Sequence, residues 1–175
     1  MIRVREYDSL SSTPFYLAQA RLVAPYAETP APVAREMLRL AGARPGELVV
    51  DLGCGDGGIL VVAASEFGCR CVGYEIDPRL AELARERVAA LGLSDRVTVV
   101  CGDLFEADLS GADVVALYLT PRVLGALRAK LEAELRRGAR VVVHDYLIEG
   151  WEPRAVRELR TRGPHTHTVA LYVIE

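Results

Sequence analysis

The sequence predicts an α/β domain, a doubly wound and mostly parallel sheet of seven strands that ends in an antiparallel hairpin. Three observations predict it. Short β-branched runs alternate with helical segments over residues 48–144, glycine and proline separate these segments, and the spacing changes after residue 150. At 175 residues with 51% hydrophobic content, the chain is long enough to bury a full core as one domain.

The elements follow one another with recognisable start and stop signals. Leu48–Leu52 is continuously apolar, as expected of a central strand that is buried on both faces. Pro78 and Pro121 suit the first turn of a helix, and Gly42, Gly92 and Gly138 suit helix ends. The predicted strands are 48–52, 69–76, 96–101, 112–119, 141–144, 156–161 and 166–174, and the predicted helices are 33–41, 58–66, 78–91 and 121–137. Residues 154–160 fit a short helix as well.

The N-terminal segment is less regular. Residues 11–14 suit the start of a short helix over Phe15–Val23, and a proline-punctuated stretch follows to Pro32. This stretch is either an arm that folds over a ligand site, with Tyr26 and Thr29 as an aromatic wall and a hydroxyl, or a plain connector. We assign residues 1–30 to such an arm and residues 31–175 to the ligand-binding domain.

The stretch from Val49 to Gly58 gives the first indication of a ligand. A strand ends in an acidic residue, a glycine-rich turn follows, and a helix begins after the turn. This arrangement binds nucleotide-like ligands. Gly53, Gly55 and Gly58 fit the dinucleotide pattern G-x-G-x-x-G, so this pattern alone does not exclude NAD. Asp51 argues against it, because a carboxylate there repels a pyrophosphate. It attracts the ammonium and sulfonium of S-adenosylmethionine.

Two further acids end the next two strands. Glu75 follows Gly57 by eighteen positions and is placed to accept hydrogen bonds from ribose hydroxyls. Asp103 follows the third strand, where it is placed to accept from an adenine amino group beside the apolar Leu104. Three acids at three successive strand ends predict S-adenosylmethionine as cofactor and S-adenosylhomocysteine as product.

Composition narrows the range of partners. The net charge of −3 does not indicate a polyanion partner, and no apolar run approaches the length that spans a bilayer. The start of the sequence has no signal-peptide core, so we expect a cytoplasmic monomer with no membrane association. The chain has twenty arginines and one lysine, Lys130, which fits codon bias, heat adaptation or avoidance of self-modification.

Neither the cysteines nor the histidines have the spacing of a metal site. The four cysteines lack paired C-x-x-C spacing and are expected to be small buried hydrophobic residues. His165 and His167 share one face of the last strand, and His144 ends the fifth strand, where a structural role is expected. We therefore predict no metal ion.

The glycine loop and the strand-end acids resemble the class I S-adenosylmethionine-dependent methyltransferases, which have a Rossmann-like sheet. The stretches 24–30, 102–108, 114–119 and 144–153 narrow the resemblance to the small single-domain protein-lysine methyltransferases of archaea and bacteria. These are similar in turn to non-SET nucleosome-modifying and mitochondrial lysine methyltransferases. The resemblance covers about residues 24–175. It implies cofactor contacts at Tyr26, Thr29, Asp51, Gly53, Cys54, Gly55, Glu75, Ile76, Asp103, Leu104 and Tyr118.

The chain departs from this family pattern at three places. Ala27-Glu28 replaces an apolar residue and proline, Thr120-Pro121 replaces a more apolar continuation, and Gly57-Gly58 stands where relatives place an arginine. These departures concern the substrate more than the cofactor.

The resemblance implies methyl transfer to exposed lysines of basic proteins. Such a lysine must lose a proton, and an apolar, aromatic-lined channel lowers its pKa. Tyr26 and Tyr118 are the predicted walls of this channel and the candidate catalytic residues, and no general base is evident in the sequence. The alternatives are a small-molecule methyltransferase, a nucleic-acid methyltransferase or a non-catalytic cofactor-binding subunit. The sequence has no basic tail or stacking platform, so we expect no stable nucleic-acid binding.

Overall fold

The computed structural model describes residues 26–175, which form the predicted seven-stranded α/β fold. Its α-helices are α1 (Ala31–Leu40), α2 (Gly58–Glu66), α3 (Pro78–Ala90) and α4 (Pro121–Glu134), and a 3-10 helix spans Leu104–Glu106. Its strands are β1 (Leu48–Leu52), β2 (Arg70–Glu75), β3 (Val97–Cys101), β4 (Val114–Leu117), β5 (Arg140–His144), β6 (Ala155–Arg160) and β7 (Thr166–Val173).

The strands are ordered β3-β2-β1-β4-β5-β7-β6. The first five are parallel, and β7 runs antiparallel to both β5 and β6. The hairpin prediction is confirmed, and the alternative of a helix at residues 154–160 is wrong. The strand order reverses between β1 and β4, and ligands of doubly wound sheets bind at the carboxyl ends of strands beside such a reversal.

Most element bounds agree with the sequence prediction to within two residues. Helix α1 begins at Ala31 rather than at residue 33, because Pro32 fits the first helical turn. Strand β4 ends at Leu117 rather than at residue 119, and α4 ends at Glu134 rather than at residue 137. The helix predicted over residues 15–23 lies outside the described residues, as does most of the arm. The division of the chain at residue 31 stays a prediction.

Both faces of the sheet are buried. Alternate strand residues, such as Val49 and Val142, pack with α1, α2 and α3 on one face. Their neighbours Val50 and Val141 pack with α4 on the other. Burial on both faces explains why the parallel strands are apolar without interruption. Within residues 26–175, none of the helices is long and apolar enough to cross a membrane.

The single lysine of the chain lies on α4. Nζ of Lys130 is 2.6 Å from Oε1 of Glu134, one helical turn further on, and only 13% of the lysine side chain is exposed. Residues four positions apart lie on the same face of a helix, which favours this ion pair. The amine of Lys130 is therefore covered and paired with a carboxylate.

Gly73 in β2 gives a test of how closely the first face is packed. A Cβ at this position would lie 2.5 Å from Cδ1 of Leu60 and 2.7 Å from Sγ of Cys54. We expect Gly73→Ala to lower the free energy of unfolding by about 1–3 kcal/mol, because a well-packed core accommodates an added methyl poorly. Urea denaturation measures the change.

Gly125→Ala is the matched control. Gly125 is exposed within α4, and a Cβ there meets no atom within 4 Å. This substitution should raise the free energy of unfolding by about 0.5–1 kcal/mol, since alanine restricts the unfolded chain. Equal denaturation midpoints for Gly73→Ala and the wild type would show that the β2–α2 contact is loose.

Candidate functional site

The loop between β1 and α2 needs glycine at three positions. The φ angles of Gly53, Gly55 and Gly57 are +83°, +54° and +81°, values that residues with a side chain rarely adopt. The ring of Tyr26 lies directly on the middle glycine, since a Cβ at Gly55 would be 2.6 Å from Cε2 of Tyr26. Glycine is therefore required both by the turn and by the close approach of this ring.

The three predicted acids lie at one edge of the sheet, because β3, β2 and β1 are neighbours. The carboxylate of Glu75 accepts from the backbone N–H of Gly55 at 2.8 Å and from that of Asp77 at 2.9 Å. Asp103 accepts from the N–H of Phe105 at 2.9 Å and so begins the 3-10 helix that contains Leu104. Ile76 follows Glu75 directly.

Asp51 is the most buried of these acids, with 2% of the residue exposed. Burial, followed by the charges of Glu75 and Asp56, raises the pKa of Asp51 to about 8. A cation brought beside this group would favour its ionised form, whereas a pyrophosphate would meet further negative charge. The electrostatics of this edge therefore fit a cationic ligand such as S-adenosylmethionine better than a dinucleotide.

A pocket at the carboxyl ends of β1 and β4 brings together seven of the predicted site residues. They are Tyr26, Thr29, Asp51, Gly53, Cys54, Gly55 and Tyr118. Glu75, Ile76, Asp103 and Leu104 lie outside the lining of this pocket, on the side of β2 and β3. The structure thus divides the predicted residues into a group around the pocket and a group along the neighbouring strand ends.

Cys54 contributes to the site through its backbone more than through its thiol. Its N–H donates to the carbonyl of Tyr74 at 2.9 Å, which ties the glycine loop to β2. Burial, followed by Asp51 and Glu75, raises the pKa of the Cys54 thiol, so it stays protonated. Cys69 and Cys71 are buried as well, as predicted, whereas Cys101 is only partly buried.

The two tyrosines differ in environment. Tyr26 is 51% exposed and covers the glycine loop from outside. Tyr118 is partly buried, its ring centroid lies 3.9 Å from that of His144, and its hydroxyl donates to Oδ2 of Asp145 at 3.3 Å. Burial and the charge of Asp145 raise the pKa of Tyr118, so this hydroxyl stays a donor.

A cluster of polar side chains lies behind Tyr118, and the sequence did not reveal it. His144 is 1% exposed, with Nδ1 3.1 Å from Oγ1 of Thr29 and Nε2 2.9 Å from Nδ1 of His167. Burial lowers the pKa of His144, although the charge of Asp145 opposes this shift. The histidine at the end of the fifth strand and the repeat His165-x-His167 are the sequence signals that could have found the cluster.

The cluster is spaced closely enough to raise the question of a metal ion. Ligand atoms of His144, Asp145 and His167 lie within 4.8 Å of one another. Both ring nitrogens of both histidines already have hydrogen-bonding partners, however, which makes the cluster a complete network without an ion. The absence of a metal ion stays a prediction.

An arginine from α3 lies beside the glycine pair that departs from the family pattern. Nη1 of Arg87 is 2.7 Å from Oδ2 of Asp56 and would be 3.8 Å from a Cβ at Gly58. A guanidinium thus occupies this region even though position 58 carries no side chain.

The comparisons with known proteins agree with this geometry. Residues 51–155 match the ANTKMT methyltransferase domain. A protein-lysine N-methyltransferase of Saccharolobus islandicus (strain REY15A) is 42% identical, over 86% of this chain and 93% of the relative. The adenine nucleotide translocase lysine N-methyltransferase of Mus musculus is also 42% identical, over 78% of this chain and 59% of the relative.

A solved structure covers nearly the same length. An RNA methyltransferase from Salinibacter ruber, in complex with S-adenosylhomocysteine, is 42% identical with a TM-score of 0.78. The match covers 85% of this chain and 94% of that one.

The burial of Asp51 predicts how stability depends on pH. The folded-state pKa is raised, so the unfolded chain loses this proton first as the pH rises. The contribution of Asp51 is therefore most favourable below its unfolded pKa of about 3.9 and is lost toward about pH 8. In Asp51→Asn, which cannot ionise, the urea midpoint should fall less between about pH 5 and pH 8 than in the wild type.

Asp95→Asn controls for the loss of one charge, since the Asp95 side chain is 76% exposed. Its midpoint should follow the wild type across this range. Parallel pH profiles for Asp51→Asn and the wild type would contradict the buried, protonated state of Asp51.

Proposed function

The chain belongs to the ANTKMT methyltransferase domain family, and we propose that it transfers methyl groups from S-adenosylmethionine to lysine side chains of proteins. The fold and the family establish an S-adenosylmethionine-dependent methyltransferase. The choice of lysine is supported most directly by the relative from Saccharolobus islandicus, which is 42% identical over nearly its whole length.

The site residues have distinct proposed roles. Asp51, Glu75 and Asp103 take the polar groups of the cofactor, the glycine loop with Cys54 lies against it, and Ile76 and Leu104 flank its base. Tyr26, Thr29 and Tyr118 face the transferred methyl. When bound, S-adenosylmethionine supplies a methyl on a sulfonium, so the amine lone pair forms the N–C bond while the C–S electron pair stays on sulfur. The enzyme then has to hold the amine in line with that bond.

RNA is the second candidate substrate, because the similar structure from Salinibacter ruber is an RNA methyltransferase. The charges at the pocket favour protein. Glu28 and Asp56 line it, and the ionised Asp145 lies directly behind Tyr118. Acids in these positions attract an ammonium and repel phosphates. We propose further that the enzyme acts as a cytoplasmic monomer.

Methyl-labelled S-adenosylmethionine tests the substrate class. The protein is incubated with purified basic proteins and, separately, with RNA, and we expect label in methylated lysine after acid hydrolysis of the protein. The same basic proteins with acetylated lysines are the matched control and should take up no label. Label in RNA alone would contradict the proposed substrate.

The contact between Tyr26 and the glycine loop predicts a role in cofactor affinity. Loss of this aromatic wall in Tyr26→Ala should weaken S-adenosylhomocysteine binding by about 3- to 10-fold, the worth of one aromatic contact. Isothermal calorimetry measures the change.

Tyr146→Ala is the control, because Tyr146 is similarly exposed, at 43%, but does not line the pocket. Its affinity should equal that of the wild type. Unchanged affinity in Tyr26→Ala would exclude residue 26 from the cofactor site.

A further inference from the structure

Two buried histidines have no part in the function proposed so far. His144 and His167 are 1% and 7% exposed, and together they form a hydrogen-bonded pair between β5 and β7. The pair contacts two residues of the pocket, since Nδ1 of His144 lies 3.1 Å from Oγ1 of Thr29 and the ring of His144 lies against that of Tyr118. The pair therefore connects the inner wall of the pocket to the hairpin.

The charge of Asp145 determines the tautomers of the histidines in this network. Its Oδ2 lies 3.4 Å from Nε2 of His144, so a proton on Nε2 is favoured over a lone pair that faces the carboxylate. The same proton is donated to Nδ1 of His167, whose Nε2 then donates to Oγ1 of Thr161 at 3.2 Å. Nδ1 of His144 is left as an acceptor for the hydroxyl proton of Thr29.

We propose that Thr29, His144 and Asp145 form a general-base triad that removes the proton a substrate ammonium must lose before methyl transfer. When the hydroxyl of Thr29 donates to His144, its oxygen lone pairs remain available to accept a proton from another group. Thr29 also lines the pocket. In a carboxylate–imidazole–hydroxyl arrangement the acid stabilises the charged form of the imidazole. Here Asp145 does so by its charge at 3.4 Å, because the Nε2 proton of His144 is donated to His167. The proposal rests on the proposed amine substrate.

The proton step balances within these three groups. An N–H bond of the ammonium breaks as Oγ1 of Thr29 takes that proton, and the original hydroxyl proton of Thr29 passes to Nδ1 of His144. The products are a neutral amine and an imidazolium, whose charge Asp145 stabilises against the burial that lowers the pKa of His144. After the product leaves, His144 returns the proton to Thr29, and Thr29 gives one to water in the open pocket.

The surroundings of Asp145 keep it ionised and in place. Its φ of +63° is unusual for a residue other than glycine, and its Oδ1 accepts from the N–H of Thr168 at 3.1 Å. Tyr118 and His165 both contact its Oδ2. Although burial opposes it, the N–H of Thr168 and the nearby histidines lower the pKa of Asp145. The groups that face His144 are thus Asp145, His165, His167 and Tyr118.

A pH profile of His144→Gln tests the triad. Rates are measured on the protein acceptor identified by methyl labelling, at saturating cofactor. Near neutral pH we expect a loss of about 100-fold in kcat, the usual worth of a general base. The loss should shrink about tenfold per pH unit as the pH rises, because the free lysine amine, with a pKa of about 10.4, then supplies its own neutral form.

Thr29→Val removes only the hydroxyl and should show the same pH rescue, which keeps the test valid if His144→Gln does not fold. Thr98→Val, at an exposed position of β3 outside this network, is the matched control and should behave as the wild type. Melting temperature verifies that each variant is folded, and saturating cofactor keeps any change in cofactor affinity out of kcat. A loss that is equal at every pH, or no loss, would overturn the triad.

A second readout needs no substrate. Nitrogen-15 NMR of the histidine rings should find His144 as the Nε2–H tautomer, and Asp145→Asn should shift it toward Nδ1–H. Asparagine tolerates the positive φ at this position. An Nδ1–H tautomer in the wild type would overturn the triad, since Thr29 could not then donate to the ring. If the wild type methylates no lysine, the proposed function fails instead, whatever the tautomer.

Discussion

The carboxylate of Glu75 fixes the geometry on which the rest of the site depends. It accepts from the N–H groups of Gly55 and Asp77, so one side chain joins the glycine loop to the start of α3. The loop in turn presents its middle glycine to Tyr26 and leaves Asp51 buried beneath. Loss of a buried acceptor would leave two backbone donors unpaired, at a cost of about 1–3 kcal/mol each.

The resulting site has two acidic regions with opposite electrostatic character. Asp51 and Glu75 lie close together at the ends of β1 and β2, and burial, followed by the charge of Glu75, raises the pKa of Asp51. Asp145 lies among histidines and is held ionised. Tyr118 separates the two regions, because it lines the pocket and donates to Asp145. The region of Asp51 and Glu75 suits the positive charge of the cofactor. The region of Asp145 suits the proton that a substrate ammonium gives up.

The sequence predicted the fold and half of this arrangement because these depend on local patterns. Periodicity located the strands, and an acid at the end of a parallel strand must lie at the ligand-binding edge, which placed Asp51 and Glu75. The histidine network could not be predicted, because Thr29 and His144 are 115 residues apart and His144 and His167 meet only through the register of β5 with β7. The Arg87 guanidinium beside Gly58 likewise depends on the packing of α3 against the loop.

Lys130 has a practical consequence for an enzyme of this kind. A catalyst present at high concentration meets other copies of itself more often than a rare target, and every exposed amine would divert cofactor into futile modification. The described chain offers those copies one lysine, which is mostly covered and held by Glu134. Molecules of this enzyme are therefore poor substrates for one another, and the methyl donor is kept for foreign acceptors.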